Sequence, residues 1–413
     1  MMPTVTLIGG GMISHDQLLP SLYQLQRLGR IGEIQVCASR HETVAALRRS
    51  ATLAEAFPGH TFAGYPEAAG DPQPELYSQL LREMAPGGLA VVAVPDQLHY
   101  AMIMAALAAG QHVLAVKPLV LREAEAEAIE RAAYDAGLFV GIEYHKRFDD
   151  RSLMARRKYR EGWFGEFRLG AACLFEKWYY RHSNFQNWCT KENSDAFSYI
   201  GCHYVDLVHF ITGLFPTAVS VHGVTDSYPN GNEGYLWTDA RVLWNNGACL
   251  NVQNGLGFPD EAPGTNTQAL TLYCAGGGGG ALLAHSDQYR GLKYSFVRQP
   301  EGAGATRYAE PSPDYFQYVE YNGPGFAPVG YGYRSVEALV NAWLQVAACP
   351  TLELRREAIR ALDQRGLIAT PANSRFNEQV MEAGRASIQN GGAQVGIPQP
   401  ASNPDRKRVT IAE

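Results

Sequence analysis

The first third of the chain alternates between two spacings of apolar residues. Val5–Ile8 is a short apolar run, and Leu18, Leu19, Leu22, Leu25 and Leu28 then recur at helical spacing. Ile34–Ala38 reads as a second strand, and Thr43–Phe57 as a helix ended by Pro58-Gly59. Leu89–Val94 is apolar throughout, as a central parallel strand covered on both faces should be. Leu98–Ala109 follows as a helix stopped by Gly110, then His112–Val116 as a strand, Arg122–Ala136 as a helix and Phe139–Ile142 as a strand. This alternation predicts right-handed crossovers and a doubly wound parallel sheet.

From about residue 146 the pattern changes. Arg160–Gly165 reads as a helix end and turn, and Phe167–Phe175 as a strand. Phe175–Asn193, rich in Trp, Tyr and Asn, reads as a long loop, and Ser198–Thr212 as a helix ended by Gly213. Strand candidates separated by turn residues come next: Ala218–Val224, Ala240–Trp244, Ala248–Asn254, Ala269–Tyr273 and Ala281–His285. Asn245-Asn246-Gly247 is a hairpin signal between two of them. Helices at Ser335–Ala348, Leu352–Arg365 and Asn377–Gln389 complete the series. The expected class is α/β: a doubly wound parallel sheet in residues 1–145, an α/β domain with a large open, mainly antiparallel sheet in 146–393, and an extended tail in 394–413.

Length and composition agree with two domains. The chain has 413 residues, 46% of them hydrophobic, which is enough for full cores at roughly 100–200 residues per domain. A net charge of −6 with both signs scattered argues against nucleic acid as a partner. No apolar run approaches the roughly 20 residues needed to span a bilayer, and no secretory leader is visible, so the expectation is a cytoplasmic protein without a membrane partner. The seven cysteines lie far apart without CxxC spacing, which fits reduced thiols and predicts no metal site.

Gly9-Gly10-Gly11-Met12-Ile13-Ser14 sits between the first strand and the first helix, and that context gives the glycines a function. One allows a tight turn, another lets a pyrophosphate approach the backbone, and free amides at the helix start bind phosphate. Gly9, Gly11, Met12 and Ile13 are therefore candidate contacts for a nicotinamide dinucleotide on a Rossmann fold. At the end of the second strand a carboxylate would hold the adenosine 2′-hydroxyl; Ser39 and Arg40 stand there instead. They suit a 2′-phosphate and favour NADP over NAD, although Arg40 also reads as a solvated surface charge.

Three segments resemble the glucose-fructose oxidoreductase/inositol dehydrogenase/MocA family. They are the glycine turn, the pair Val94-Pro95-Asp96-Gln97-Leu98-His99 and Ala115-Val116-Lys117-Pro118-Leu119, and the helix Tyr199-Ile200-Gly201-Cys202-His203-Tyr204-Val205-Asp206. The resemblance implies that Pro95, Asp96, His99 and Lys117 lie against the cofactor and that Lys117 and His203 act on the substrate. Val116 stands where the family usually has Glu, Asp96 where it often has Asn, and Tyr199 where it often has Asp.

The residues themselves support such chemistry. Lys117 follows the strand His112–Val116 at its carboxyl end, where ligands collect in open α/β sheets. Tyr199, His203 and Asp206, at i, i+4 and i+7, share one helix face. A neutral His203 suits a general base with Asp206 to orient it, and Tyr199 is either a hydrogen-bond donor to substrate or core. His145 and Arg147 are expected at the cleft, with a structural ion pair as the equal alternative for Arg147. Trp178, Tyr179, Tyr180 and Trp188 offer faces for a sugar ring, with plain core packing or a subunit contact as the equal alternative, and Tyr289 and Arg290 are further candidates for the cleft.

The expected function is an NAD(P)-dependent dehydrogenase or reductase acting on a ring hydroxyl or ketone of a sugar, sugar derivative or cyclic polyol. An open sheet face needs cover, so a homodimer or homotetramer is expected. Two alternatives stay open: redox-assisted glycoside cleavage with tightly bound NAD, and a non-catalytic dinucleotide-sensing protein.

Overall fold

The computed structural model describes residues 2–262, 266–277, 279–286, 294–297, 306–309 and 315–398. Six parallel strands form the first sheet: β1 (Val5–Ile8), β2 (Ile34–Cys37), β3 (Ala63–Tyr65), β4 (Leu89–Val92), β5 (His112–Val116) and β6 (Val140–Glu143), in the order β3-β2-β1-β4-β5-β6. The order reverses between β1 and β4, whose carboxyl ends therefore border the crevice in which such sheets bind ligands. Short β1 and β4 are buried at every position, as strands covered on both faces must be.

The second sheet has seven strands: β7 (Phe167–Lys177), β8 (Pro216–Ser227), β9 (Glu233–Trp244), β10 (Cys249–Phe258), β11 (Asn266–Cys274), β12 (Ala281–Ser286) and a short last strand, Val395–Gly396, beside β8. Among the described residues every pairing in it is antiparallel except β7 with β10. Alternate residues of β9 are buried and exposed, so helices cover one face while the other is open. Two small hairpins lie outside both sheets, β13 (Tyr294–Val297) with β14 (Thr306–Ala309) and β15 (Gln317–Glu320) with β16 (Phe326–Val329).

The helix Tyr331–Ala347, late in the chain, returns to the first sheet. Its Leu339, Val340 and Trp343 share a core with Val5, Leu7, Val36 and Val91. The helix Phe376–Gln389 packs instead in the core of the second sheet, with Val380 and Met381 beside Val219 and Val221.

Three local expectations are corrected. Thr43–Phe57 is not one helix but two, His41–Arg48 and Ala51–Ala56, because Ser50 leaves the helix to accept the amide of Leu53 at 3.3 Å and caps a new start. The loop expected at Phe175–Asn193 holds the end of β7, a 3-10 turn at Trp178–His182 and a short helix, Phe185–Trp188. The helix expected at Ser198–Thr212 opens with a π turn, Phe197–Gly201, before the α-helix Cys202–Thr212. Among the described residues no helix is long and apolar enough to cross a membrane. Residues 399–413 of the expected tail, and Tyr289 and Arg290, lie outside the described residues.

Candidate active site

The glycine turn is shaped by contact on one side and space on the other. Gly9 has φ +111°, and a Cβ there would stand 2.0 Å from the carbonyl oxygen of Ala93, so only glycine lets the end of β1 pass the end of β4. A Cβ on Gly11 would meet nothing within 4 Å, leaving the open room a pyrophosphate needs. Ser14 is buried and donates to the Gly9 carbonyl at 2.9 Å, tying the helix to the turn where a third glycine would pack. Met12 and Ile13 begin that helix, whose first amides have no acceptor within it. Turn, open side and free amides together fit a dinucleotide. Ser39 and Arg40 are exposed at the end of β2.

Past β4, Pro95 is half-buried, but Asp96 and His99 are committed to protein. Asp96 accepts the Ser194 hydroxyl at 3.1 Å, joining the two halves of the chain; burial raises its pKa against the pull of His99 and Lys117. His99 is fully buried, with Nδ1 2.9 Å from the Pro118 carbonyl oxygen and Nε2 2.9 Å from that of Val94. His99 thus clips the end of β4 to the segment after β5, next to Lys117.

Lys117 is half-buried and joined to Pro118 by a cis peptide. Its Nζ donates to the backbone carbonyl of Tyr199 and lies 3.4 Å from the centroid of the Tyr199 ring. Tyr199 therefore acts through its π face and its carbonyl, cradling a cation. Its ring packs at 4.6 Å on Phe185 and 5.7 Å on Trp188. Burial holds its phenol well above the ordinary range, so it is not an acid–base group near neutral pH.

His203 lies in the same cluster. Burial, then the charge of Lys117, then His145 and Lys146 hold its pKa well below the usual value, so the imidazole is neutral. The expected orientation by Asp206 is corrected. Asp206 is bound by Arg147, Nε to Oδ2 at 2.7 Å, and among the described residues His203 Nδ1 is buried without a hydrogen-bond partner. Residues three apart on a helix differ by about 60° in direction, enough to aim His203 at the cleft and Asp206 at the core. Neither Arg147 nor Asp206 is positioned to touch substrate.

His145 does face the cleft. Its Nδ1 lies 3.1 Å from Oε2 of Glu143, and its ring centroid is 4.7 Å from that of His203, 5.0 Å from Tyr315 and 5.5 Å from Tyr331. Glu143, at the end of β6, is buried and accepts Gln17 Nε2 at 2.8 Å and the Ser335 hydroxyl. Burial lowers the pKa of His145, with Glu143 opposing.

Two further charged residues of the cleft carry no motif in the sequence. Lys146 is buried, donates to Oε1 of Gln268 and has its pKa pushed down to about 8 by burial, against Glu176 and Asp149. Glu176, on β7, is half-buried, accepts Asn266 Nδ2 at 3.4 Å and has its pKa raised by burial, with Lys146 and then Lys117 opposing. Strand alternation would put His145 and Arg147 on one face. The segment is instead a 3-10 turn, His145–Phe148, which separates them and sends Lys146 toward the second sheet. Glu176 falls in the expected loop Phe175–Asn193 and carries no motif, whereas β7 extends through it to Lys177.

The aromatic segment is partly spoken for. Trp178 is 42% exposed, yet the Arg181 guanidinium lies 3.7 Å from its ring centroid. Tyr180 stacks on Phe185 at 5.8 Å, and burial followed by Glu176 holds its phenol well above the usual range.

Residues 4–144 match the model of an oxidoreductase family with an NAD-binding Rossmann fold. A scyllo-inositol 2-dehydrogenase (NADP(+)), IolW, of Bacillus subtilis is 28% identical over 136 residues, covering 32% of this chain and 37% of that protein. An uncharacterized oxidoreductase of Schizosaccharomyces pombe is 29% identical over 200 residues, 47% of this chain and 50% of its own length. The chain thus spans half or less of these two relatives. Among solved structures, the WlbA dehydrogenase of Bordetella pertussis, in complex with NADH and UDP-GlcNAcA, superposes with a TM-score of 0.64 at 17% identity, over 97% of this chain and 100% of that one. At that identity the likeness is one of fold.

Proposed function

Residues 4–144 match the Gfo/Idh/MocA oxidoreductase family model, and from that match we propose that the chain is a member of this family and an NAD(P)-dependent oxidoreductase acting on a ring hydroxyl or ketone of a sugar, sugar derivative or cyclic polyol. The observation that carries the reading is the convergence of Lys117 with two imidazoles, His145 and His203, beside the carboxyl ends of β5 and β6. Residues 1–145 would bind the dinucleotide and 146–393 supply the substrate wall.

The glycine turn and the amides of Met12 and Ile13 would hold the pyrophosphate. Ser39 and Arg40 would meet the adenosine ribose, with a 2′-phosphate favoured because a cation and a hydroxyl stand where an acid would repel it. The dinucleotide, when bound, supplies the hydride acceptor or donor. Lys117 hydrogen-bonds the reacting oxygen and stabilises negative charge on it, while the carbonyl and ring of Tyr199 keep the ammonium aimed. One of the two imidazoles takes the hydroxyl proton. Glu176, Gln268 and Lys146 form a polar wall suited to further hydroxyls, and Trp178 and Tyr180 border it.

The open face of the second sheet favours a second copy of the chain as partner. Tyr273 pairs across strands with Leu169 and Leu282, and the three are 55%, 51% and 55% exposed. Such an apolar cluster on a sheet calls for cover.

The test uses the purified chain. NAD and NADP are titrated by quenching of intrinsic fluorescence, and absorbance at 340 nm is followed across inositols, sugars, sugar acids and glycosides. Reduction of the dinucleotide by at least one cyclic polyol or sugar is the expected result. Free sugar released without net reduction would replace the reading by redox-assisted cleavage, and binding without turnover by a dinucleotide sensor.

A further inference from the structure

We propose that His145, held by Glu143, is the imidazole that takes the hydroxyl proton, with Glu143 as its positioning residue; this rests on the oxidoreductase reading above. Two imidazoles stand 4.7 Å apart in the cleft, and among the described residues His145 alone of the two has a carboxylate partner. Among the described residues Nδ1 of His203 is buried without a hydrogen-bond partner, so none of them sets its tautomer or accepts from a protonated ring there. For His145, Glu143 does both. Its Nδ1 donates to a carboxylate 3.1 Å away, which leaves the lone pair on Nε2.

Among the described residues Nε2 of His145 makes no hydrogen bond, and the side chain is 13% exposed, so a substrate hydroxyl can reach it. Glu143 is itself immobilised. Gln17 and Ser335 both donate to its Oε1, leaving Oε2 for the imidazole. Gln17 is fixed in turn by donating to the Gly332 carbonyl at 3.0 Å and accepting the Tyr315 hydroxyl at 2.6 Å.

The charged and titratable groups facing His145 are Glu143, Lys146, Lys117, His203, Tyr315 and Tyr331. Burial and the two lysines favour the neutral ring, and Glu143 favours the protonated one. The ring is thus neutral before reaction and compensated after it. In the oxidative direction the substrate O–H bond breaks and its proton goes to Nε2. The carbon's C–H pair leaves as hydride to the oxidised nicotinamide, and C–O becomes C=O. The imidazolium, held against Glu143, then gives its proton to solvent. Reduction reverses each transfer.

Two variants and two readouts test this. In Glu143→Gln the amide oxygen stays with Gln17 and Ser335, so the NH₂ faces Nδ1 and the proton on His145 moves to Nε2. Imidazole nitrogen NMR should show Nδ1–H in the parent and Nε2–H in Glu143→Gln, and this needs no substrate. With substrate, Glu143→Gln and His145→Gln should each lower kcat about a hundredfold or more. Both should lose the acidic limb of the kcat/KM pH profile, with dinucleotide Kd within twofold of the parent and thermal midpoints close to it. His203→Gln should keep that limb. An unchanged tautomer in Glu143→Gln, more than a third of parental kcat in His145→Gln, or loss of the limb only in His203→Gln would overturn the assignment. A parent that shows the Nδ1–H ring but turns over no substrate would count against the oxidoreductase reading and leave the Glu143–His145 pairing standing.

Discussion

Arg147 grips both carboxylate oxygens of Asp206, from Nε at 2.7 Å and from Nη2 at 2.5 Å, with each side chain only 2% exposed. A planar guanidinium matched to a carboxylate in this way gives two parallel charge-assisted bonds. The pair joins the turn after β6 to the helix Cys202–Thr212 and so fixes how the first sheet meets the helix that carries His203. Asp206→Ala leaves an uncompensated guanidinium in the core, and a loss of about 3–5 kcal/mol in unfolding free energy is expected. Urea denaturation measures it; a loss below about 1 kcal/mol would show that the pair is not a keystone.

Lys117→Met keeps most of the side chain's length and removes the ammonium. Hydride transfer should be nearly abolished while dinucleotide affinity stays within about tenfold. Single-turnover absorbance at 340 nm alongside a binding titration separates the two effects, and retained turnover would remove Lys117 from the chemistry.

Arg40→Ala should weaken NADP more than NAD, since the guanidinium is exposed at the end of β2 where a 2′-phosphate would lie. Competitive titration with both dinucleotides gives the ratio. Equal affinities, unchanged from the parent, would leave Arg40 a solvated surface charge.

Glu378 sets a pH dependence of stability. It is fully buried, Oε1 accepts the Leu119 amide at 3.3 Å, and among the described residues Oε2 has no hydrogen-bond partner. Burial raises its pKa from 4.5 to about 8. The folded state therefore keeps a proton that the unfolded chain loses. Its contribution is fully present below pH 4.5 and disappears as pH rises through about 8. Glu378→Gln imitates the protonated acid. It should flatten that part of the stability profile and exceed the parent at pH 9 by on the order of 4 kcal/mol. Unfolding midpoints taken across that range check it, and parallel profiles for parent and variant would contradict it.

Tyr273→Glu would place a carboxylate between Leu169 and Leu282 on the open sheet. If a second copy covers that face, light scattering should show a parent assembly that the substitution breaks into monomers with unchanged thermal stability of the fold. A monomeric parent would leave the patch uncovered.

The amino-acid pattern alone determined those features whose causes are local. The alternation of apolar spacings specified the parallel sheet, and the glycine turn with its small Ser14 specified the approach of β1 to its helix. The end of β5 placed Lys117 at the crevice, because a residue following a strand has nowhere else to go. Side-chain partnerships were decided by tertiary structure. Asp206 faced two possible mates, His203 on its own helix and Arg147 from a turn remote in sequence, and the bidentate guanidinium took it. Glu143 became an orienting group only because Gln17 and Ser335, from opposite ends of the chain, converge on one of its oxygens. A 3-10 turn of four residues exchanged Lys146 for Arg147 at the cleft, a rotation that strand alternation does not encode. Spacing along a chain fixes direction within one element; which charges meet depends on how elements pack, and burial then makes those meetings strong.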